Sequence, residues 1–338
     1  MFSVLLASTL TFISVFLLYD PLVKILLKKR IIGIDQQKKE KPILPQAGGT
    51  LVILSFFIGI FSFITINQIL EPIKLNLNTF FLGLITILLV SIAGFLDDIK
   101  VSEKKHKAKA GHVDYRVGLK QWQKPVITFF GSLPLIFAGL STAVYLPLLG
   151  NVDLGIIYTL LLIPLAVVCV SNATNMLAGQ NGLEAGMMGI SLLFLSIFNL
   201  VRGTLEASIL SFIAFCGLLA FLRFNFYPAK ILPGDSLTYF NGGVFAVVTL
   251  LGKCEFFSII IFLPWILEAF LKAKNGFRGT CLGKLVKERY LKPKNDKIES
   301  LTHVVMSLGN FAEKQEVLIF YFLELILCVL AYLIFVWA

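Results

Sequence analysis

Long apolar runs, broken by short polar stretches, dominate the chain. Runs able to cross a hydrocarbon core of roughly 30 Å recur at 3–27, 49–70, 79–96, 125–148, 154–171, 185–201, 205–222, 237–252, 254–271 and 316–337. Ten candidate spans follow, with 237–252 the shortest. Each is too long and too continuous for the alternating strands of a membrane barrel, so the pattern predicts an all-α polytopic helical bundle. The first run lacks a basic leader and a small-residue cleavage site, and its Lys28-Lys29-Arg30 cluster follows the apolar stretch. It reads as a retained helix rather than a signal peptide. No repeat, low-complexity tract or Pro/Gly/Ser linker divides the chain. Residues 1–338 therefore form one membrane domain, with polar connections at 28–48, 97–124, 172–184, 223–236 and 272–315. Within the last of these, Lys284-Leu-Val-Lys-Glu-Arg289 reads as a short strand or an amphipathic segment.

Composition agrees with that class: 57% of residues are hydrophobic and 15% charged, with a mean hydropathy of +0.86, whereas a soluble domain carries about a quarter charged positions. The net charge of +10 raises the question of nucleic acid, and its distribution answers it. If the ten spans alternate, the connections on one side hold 26 Lys and Arg, and the other side holds only Lys74, Arg202 and Lys253. That asymmetry is the positive-inside pattern, which places the basic loops in the cytoplasm and both termini outside. Lys104, Lys105, Lys107 and Lys109 read mainly as topology-fixing charges near anionic headgroups. The five cysteines show no C-x-x-C spacing, and His106, His112 and His303 no metal-ligand spacing, so neither a disulfide framework nor a thiolate or imidazole metal site is expected.

The other polar residues converge on that cytoplasmic face. Gly33-x-Asp35-x-x-Lys38 and Pro45-Gln46-Ala47-Gly48-Gly49 lie in the first loop, and Asp97-Asp98 closes the third span. Lys124 begins the fourth span, Asn172-Ala-Thr-Asn175 closes the fifth, and Asn181-Gly182 with Glu184 precedes the sixth. Pro228 to Asp235 precedes the eighth. A channel or transporter tends to carry ionisable groups near the bilayer midplane, which here is nearly free of charge. An enzyme joining a water-soluble donor to a lipid acceptor would place them as observed. Asn and Asp oxygens are hard ligands suited to Mg²⁺ or Mn²⁺, and Lys38 and Lys124 could neutralise phosphate as point charges. The pairs Gly48-Gly49 and Gly242-Gly243 allow close backbone approach, either to a ligand or between packed helices.

Taken in order, three segments resemble the polyprenyl-phosphate N-acetylhexosamine-1-phosphate transferase family. They are Gly94-Phe-Leu-Asp-Asp98, Asn172-Ala-Thr-Asn-Met-Leu-Ala-Gly-Gln-Asn-Gly-Leu-Glu-Ala-Gly186 and Phe224-Asn-Phe-Tyr-Pro-Ala-Lys-Ile-Leu-Pro-Gly-Asp235. The second is most similar to the eukaryotic and archaeal dolichyl-phosphate branch. Bacterial cell-wall branches that use undecaprenyl phosphate usually have Asp where this chain has Ala178 and Asn181, and they carry a histidine-rich motif that is absent from 272–315. A bacterial-type enzyme is therefore the alternative reading, and a lipid or ion transporter the non-enzymatic one.

The resemblance implies transfer of N-acetylglucosamine 1-phosphate from UDP-N-acetylglucosamine to dolichyl phosphate, releasing UMP. It further implies that Asn175 and Asp235 hold Mg²⁺ (or Mn²⁺) and that Lys124 contacts phosphate. Asn181, Gln46 and the Gly48-Gly49 turn would hold the uridine end, and Arg278 or Arg289 would bear on sugar selection; Asn172 and Lys38 are further candidate substrate-binding residues, Lys38 at phosphate. Asp97 and Asp98 are expected to manage the lipid phosphate. Expected surroundings are a plasma membrane of archaeal type or an endoplasmic reticulum membrane. No nucleic acid is expected, and the sequence leaves the oligomeric state, a homodimer included, open.

Overall fold

The computed structural model describes residues 2–70, 72–107, 113–146, 150–294 and 297–335; Lys109 and His112 lie outside them. Helices dominate. The first three are α1 (Phe2–Lys28), α2 (Gly49–Ile69) and α3 (Leu77–Ile99), followed by the shorter α4 (Gln123–Ile136). Next, α5 (Gly155–Ile157) passes through a π-helical turn, Tyr158–Leu162, into α6 (Ile163–Thr174). Pro164 follows that turn, and its missing N–H and bulky ring explain the local widening. Then come α7 (Leu183–Val201), α8 (Leu205–Asn225), α9 (Gly234–Gly252), α10 (Glu255–Ile261), α11 (Leu263–Lys274), α12 (Leu301–Leu308) and α13 (Glu313–Phe335).

Among the described residues, seven helices are long and apolar enough to cross a membrane, or eight when α10 and α11 count as one span bent by 66°. Pro264, in the first turn of α11, accounts for the break. The expected spans 125–148 and 237–252 differ from the rest. The first is helical only to Ile136, after which the chain turns into strands β5 (Ala143–Leu146) and β6 (Gly150–Asp153). The second is α9, whose residues are buried along almost its whole length. Its Asn, Thr and Gly content lowers its hydropathy because it faces protein rather than lipid.

α9 is the axis of the bundle, packed by α3, α6, α8 and α2. Glycines set those approaches: a Cβ on Gly94 of α3 would stand 2.1 Å from the Asp235 carbonyl oxygen, and one on Gly242 would stand 2.5 Å from Ser171 Cα. For Gly242-Gly243 and Gly49, helix packing is thus the role observed. Among the described residues, sheet is confined to hairpins: β1 (Ile32–Ile34) with β2 (Ile43–Pro45), β3 (Val101–Lys107) with β4 (Val113–Arg116), the β5–β6 pair, and β7 (Gly283–Val286) with β8 (Tyr290–Pro293). The segment starting at Lys284 is therefore a strand and its turn.

Candidate active site

The last turn of α3, the start of α4, the end of α6 and the first turn of α9 meet at one end of the bundle. Asp97, Asp98 and Asp235 are buried there, with one carboxylate oxygen from each within 4.8 Å of the others. The Lys124 ammonium lies 3.0 Å from Asp97 Oδ1 and bonds Asp235 Oδ2. Asn175 Nδ2 donates to the same Asp235 oxygen at 2.9 Å, while Asn175 Oδ1 accepts from the Thr238 hydroxyl at 2.9 Å. Asn172 Oδ1 accepts from the Tyr239 hydroxyl at 2.9 Å.

The twin aspartates divide their work. Asp97 accepts the Leu119 N–H at 2.7 Å and faces Lys124. Asp98 accepts the Asp235 and Ser236 N–H groups at 2.9 and 2.8 Å. It thereby caps the start of α9 from a neighbouring helix, where unpaired amides and the helix dipole favour a negative charge. Asp98→Ala should cost about 1–2 kcal/mol of stability, the upper range for a lost cap, and lower the thermal midpoint of the purified protein. An unchanged midpoint would remove this anchoring role.

Asp97, Lys124, Asn172, Asn175, Asp235, Thr238 and Tyr239 line one end of a cavity of about 1500 Å³. From there the walls turn apolar, with Leu162, Leu165, Phe245, Phe256, Ile259 and Ile266 facing in, until Tyr158 and Glu255, joined by a 2.6 Å hydrogen bond. Asp235 and Thr249 both line it and lie on one helix, so the cavity extends about 20 Å at 1.5 Å per residue. A second polar branch is lined by Asp35, Gln46, Gly179, Gln180, Asn181 and Glu184. The loop forming it turns at Gly179 and Gly182, whose φ values of 108° and 90° suit glycine.

Asp97, Lys124, Asn172, Asn175, Asp235, Gln46 and Asn181 thus share one cavity, as the sequence leads one to expect. Three other residues sit differently. Lys38 bonds Asp35 and Glu313 and lines a separate cavity of about 620 Å³. Gly48 donates to the Leu232 carbonyl, and a Cβ there would meet the Phe221 ring at 2.7 Å, so it is a packing position. Arg278 is exposed on the loop whose neighbours Phe277 and Gly279 reach the cavity.

Sequence reasoning passed over Thr238 and Tyr239, although their spacing from Asp235 places all three on one helix face. It also passed over Glu268, a buried hub that meets Lys272 at 3.2 Å, the Leu301 N–H at 2.7 Å and Ser300 at 3.0 Å. Cys281 beside it lines the cavity, but burial, and then the Glu268 carboxylate, push its thiol up, which makes it a poor nucleophile. Outside the site, Lys105 is exposed. Lys105→Ala should leave steady-state turnover within about twofold of wild type, as surface charges contribute little; a larger loss would enlist loop 97–124 in binding.

A buried carboxylate and lysine cluster thus lies at one end of an apolar groove in a helical membrane bundle, and comparison with known sequences gives the class, a glycosyltransferase. Residues 80–253 match the family model described as Glycosyl transferase family 4, and the chain belongs to that family. A Sulfolobus acidocaldarius protein provisionally named UDP-N-acetylglucosamine–dolichyl-phosphate N-acetylglucosaminephosphotransferase is 34% identical over 90% of this chain and 88% of its own. The Dictyostelium discoideum protein of that name is 28% identical over 70% and 64%. A Clostridium botulinum phospho-N-acetylmuramoyl-pentapeptide-transferase is 30% identical over 74% and 72%.

Proposed function

We propose that this protein transfers N-acetylglucosamine 1-phosphate from UDP-N-acetylglucosamine to dolichyl (polyprenyl) phosphate, releasing UMP, as the first membrane step of lipid-linked oligosaccharide synthesis for protein N-glycosylation. The observation that carries the reading is the two-part cavity. A phosphate on an isoprenoid tail needs an apolar groove that ends at cations and carboxylates, and one cavity here supplies both. The relatives of dolichyl-phosphate name support the choice of substrates.

Ten passes, with both termini outside and the carboxylate end facing the cytoplasm of an archaeal-type plasma membrane, account for the distribution of Lys and Arg. A homodimer within that membrane is compatible with this arrangement.

The donor set fits a hard divalent cation. Asp97, Asp98 and Asp235 bring oxygens within 4.8 Å of one another, with Asn175 alongside. Asp235, Asn175 and Asp97 would hold Mg²⁺ or Mn²⁺, which when bound neutralises charge on the donor's diphosphate oxygens. Asp98 keeps the first turn of α9 in place. Lys124, held between Asp97 and Asp235, offers its ammonium to phosphate oxygens at the junction of groove and polar branch. A phosphate monoester has a second pKa of about 6 and is largely ionised near neutral pH. Asp97 therefore needs only to orient the acceptor or take its residual proton. The acceptor oxygen attacks the sugar-linked phosphorus, that bond forms, and the bond to UMP breaks.

The test is UMP release by purified protein supplied with a polyprenyl phosphate and a panel of UDP-sugars. Release that requires both substrates and a divalent cation is expected; lipid movement in sealed vesicles without UMP would make the protein a transporter. Rapid exchange of labelled UMP into the donor without acceptor would replace direct displacement by an aspartyl-phosphate route.

A further inference from the structure

In the polar branch, Asn181 is gripped twice. Its backbone N–H donates to Glu313 Oε1 at 2.8 Å, and its side-chain Nδ2 donates to Asp35 Oδ2 at 3.0 Å. Lys38 ties the two acids together, lying 3.1 Å from Asp35 Oδ2 and bonding Glu313. Asp35, Asn181 and Glu313 are buried and Lys38 is half-buried, yet Asp35 and Asn181 both border the cavity. The carboxylate oxygen accepts here, so the amide turns its nitrogen to Asp35. Its oxygen Oδ1 is then the atom left to meet a ligand.

We propose that Asp35 is a positioning residue that fixes the amide orientation of Asn181, so that Oδ1 selects a nucleobase with a ring N–H, as uracil has, over one with an acceptor ring nitrogen, as cytosine has. The inference rests on the UDP-sugar reading above and assigns to Asp35 the orientation of the amide that meets the base. The geometry explains the location. With phosphates at Lys124 and the tail in the apolar groove, the base is left the branch lined by Gln46 and Asn181. Lys38, expected from the sequence to meet phosphate, instead holds Asp35 in place.

Asp35→Asn is the discriminating variant. An amide at 35 can donate as well as accept, so Asn181 is free to turn and present Nδ2 to an acceptor nitrogen. UMP and CMP binding to the purified full chain, measured by titration calorimetry, should differ by about tenfold or more in the wild type, the worth of one well-made hydrogen bond against an unpaired one. The ratio should fall to within about threefold in Asp35→Asn, through tighter CMP and weaker UMP. Asp35→Ala, which frees the same nitrogen, should also collapse the ratio if the Asn variant folds poorly, with thermal midpoints showing which variant is folded. A wild-type ratio kept by either folded variant overturns the assignment of Asp35. Wild-type protein that binds neither nucleotide and turns over no UDP-sugar would instead overturn the functional reading itself.

Discussion

Asp235→Ala should abolish UMP release, lowering kcat/KM by about three orders of magnitude or more, the scale seen when a group that stabilises developing charge is lost. Asp235 stands in the first turn of α9, meets both the Lys124 ammonium and the Asn175 amide, and contributes an oxygen to the three-carboxylate cluster. Its removal strips charge from the cation site and frees Asn175 at the same stroke. Folding should survive, because Lys124 keeps Asp97 at 3.0 Å and is not left as an unpaired buried charge. Asp235→Asn, which keeps the shape and loses the charge, should fail nearly as badly. Both variants belong in a turnover assay at saturating Mg²⁺ with a monodispersity check; activity near wild type in either would take Asp235 out of the site.

Much of this site was legible because its residues lie where a hydrophobic chain has little reason to carry them. Asp97, Asn172, Asn175 and Asp235 interrupt or abut apolar runs, and helix ends alternate between faces, so a count of spans brings them together before any coordinates do. What the pattern could not resolve is partnership. Asp97 and Asp98 are adjacent and chemically identical, yet their side chains point to different helix positions: one reaches Lys124, the other the amides of α9. Lys38 has the composition of a phosphate ligand and the surroundings of a structural cation, because Asp35 and Glu313, 275 residues from Lys38 along the chain, claim it first.

The same limit applied to the spans. α9 reads as the weakest membrane segment because hydropathy measures fitness for lipid, whereas a helix enclosed by α3, α6 and α8 needs fitness for protein. The polar residues that weaken its signal, Thr238, Tyr239 and Asn241, are the ones that bond the site or its neighbours. Glu313 and Glu316 stand in the first turn of α13. Their roles depend on which loop folds over them, here the turn carrying Gln180 and Asn181.

Lys124→Ala should lower kcat by about two to three orders of magnitude and at the same time reduce the Mg²⁺ concentration needed for half-maximal activity. The first effect follows from losing the only ammonium that the described structure places between Asp97 and Asp235, the point charge offered to phosphate. The second follows from competition. The ammonium occupies oxygens of the carboxylate cluster that would also hold a divalent cation, so deleting it leaves those carboxylates less neutralised and more attractive to Mg²⁺. Lys124→Arg should not restore the rate, since a planar guanidinium cannot replace a compact ammonium between two carboxylates and beneath the Tyr239 ring, 5.8 Å away. A merely structural Lys124 would lose rate and cation affinity together, so a titration of activity against Mg²⁺ separates the two cases. A higher half-saturating Mg²⁺ concentration in the Ala variant would show that the lysine supports the ion rather than competing with it.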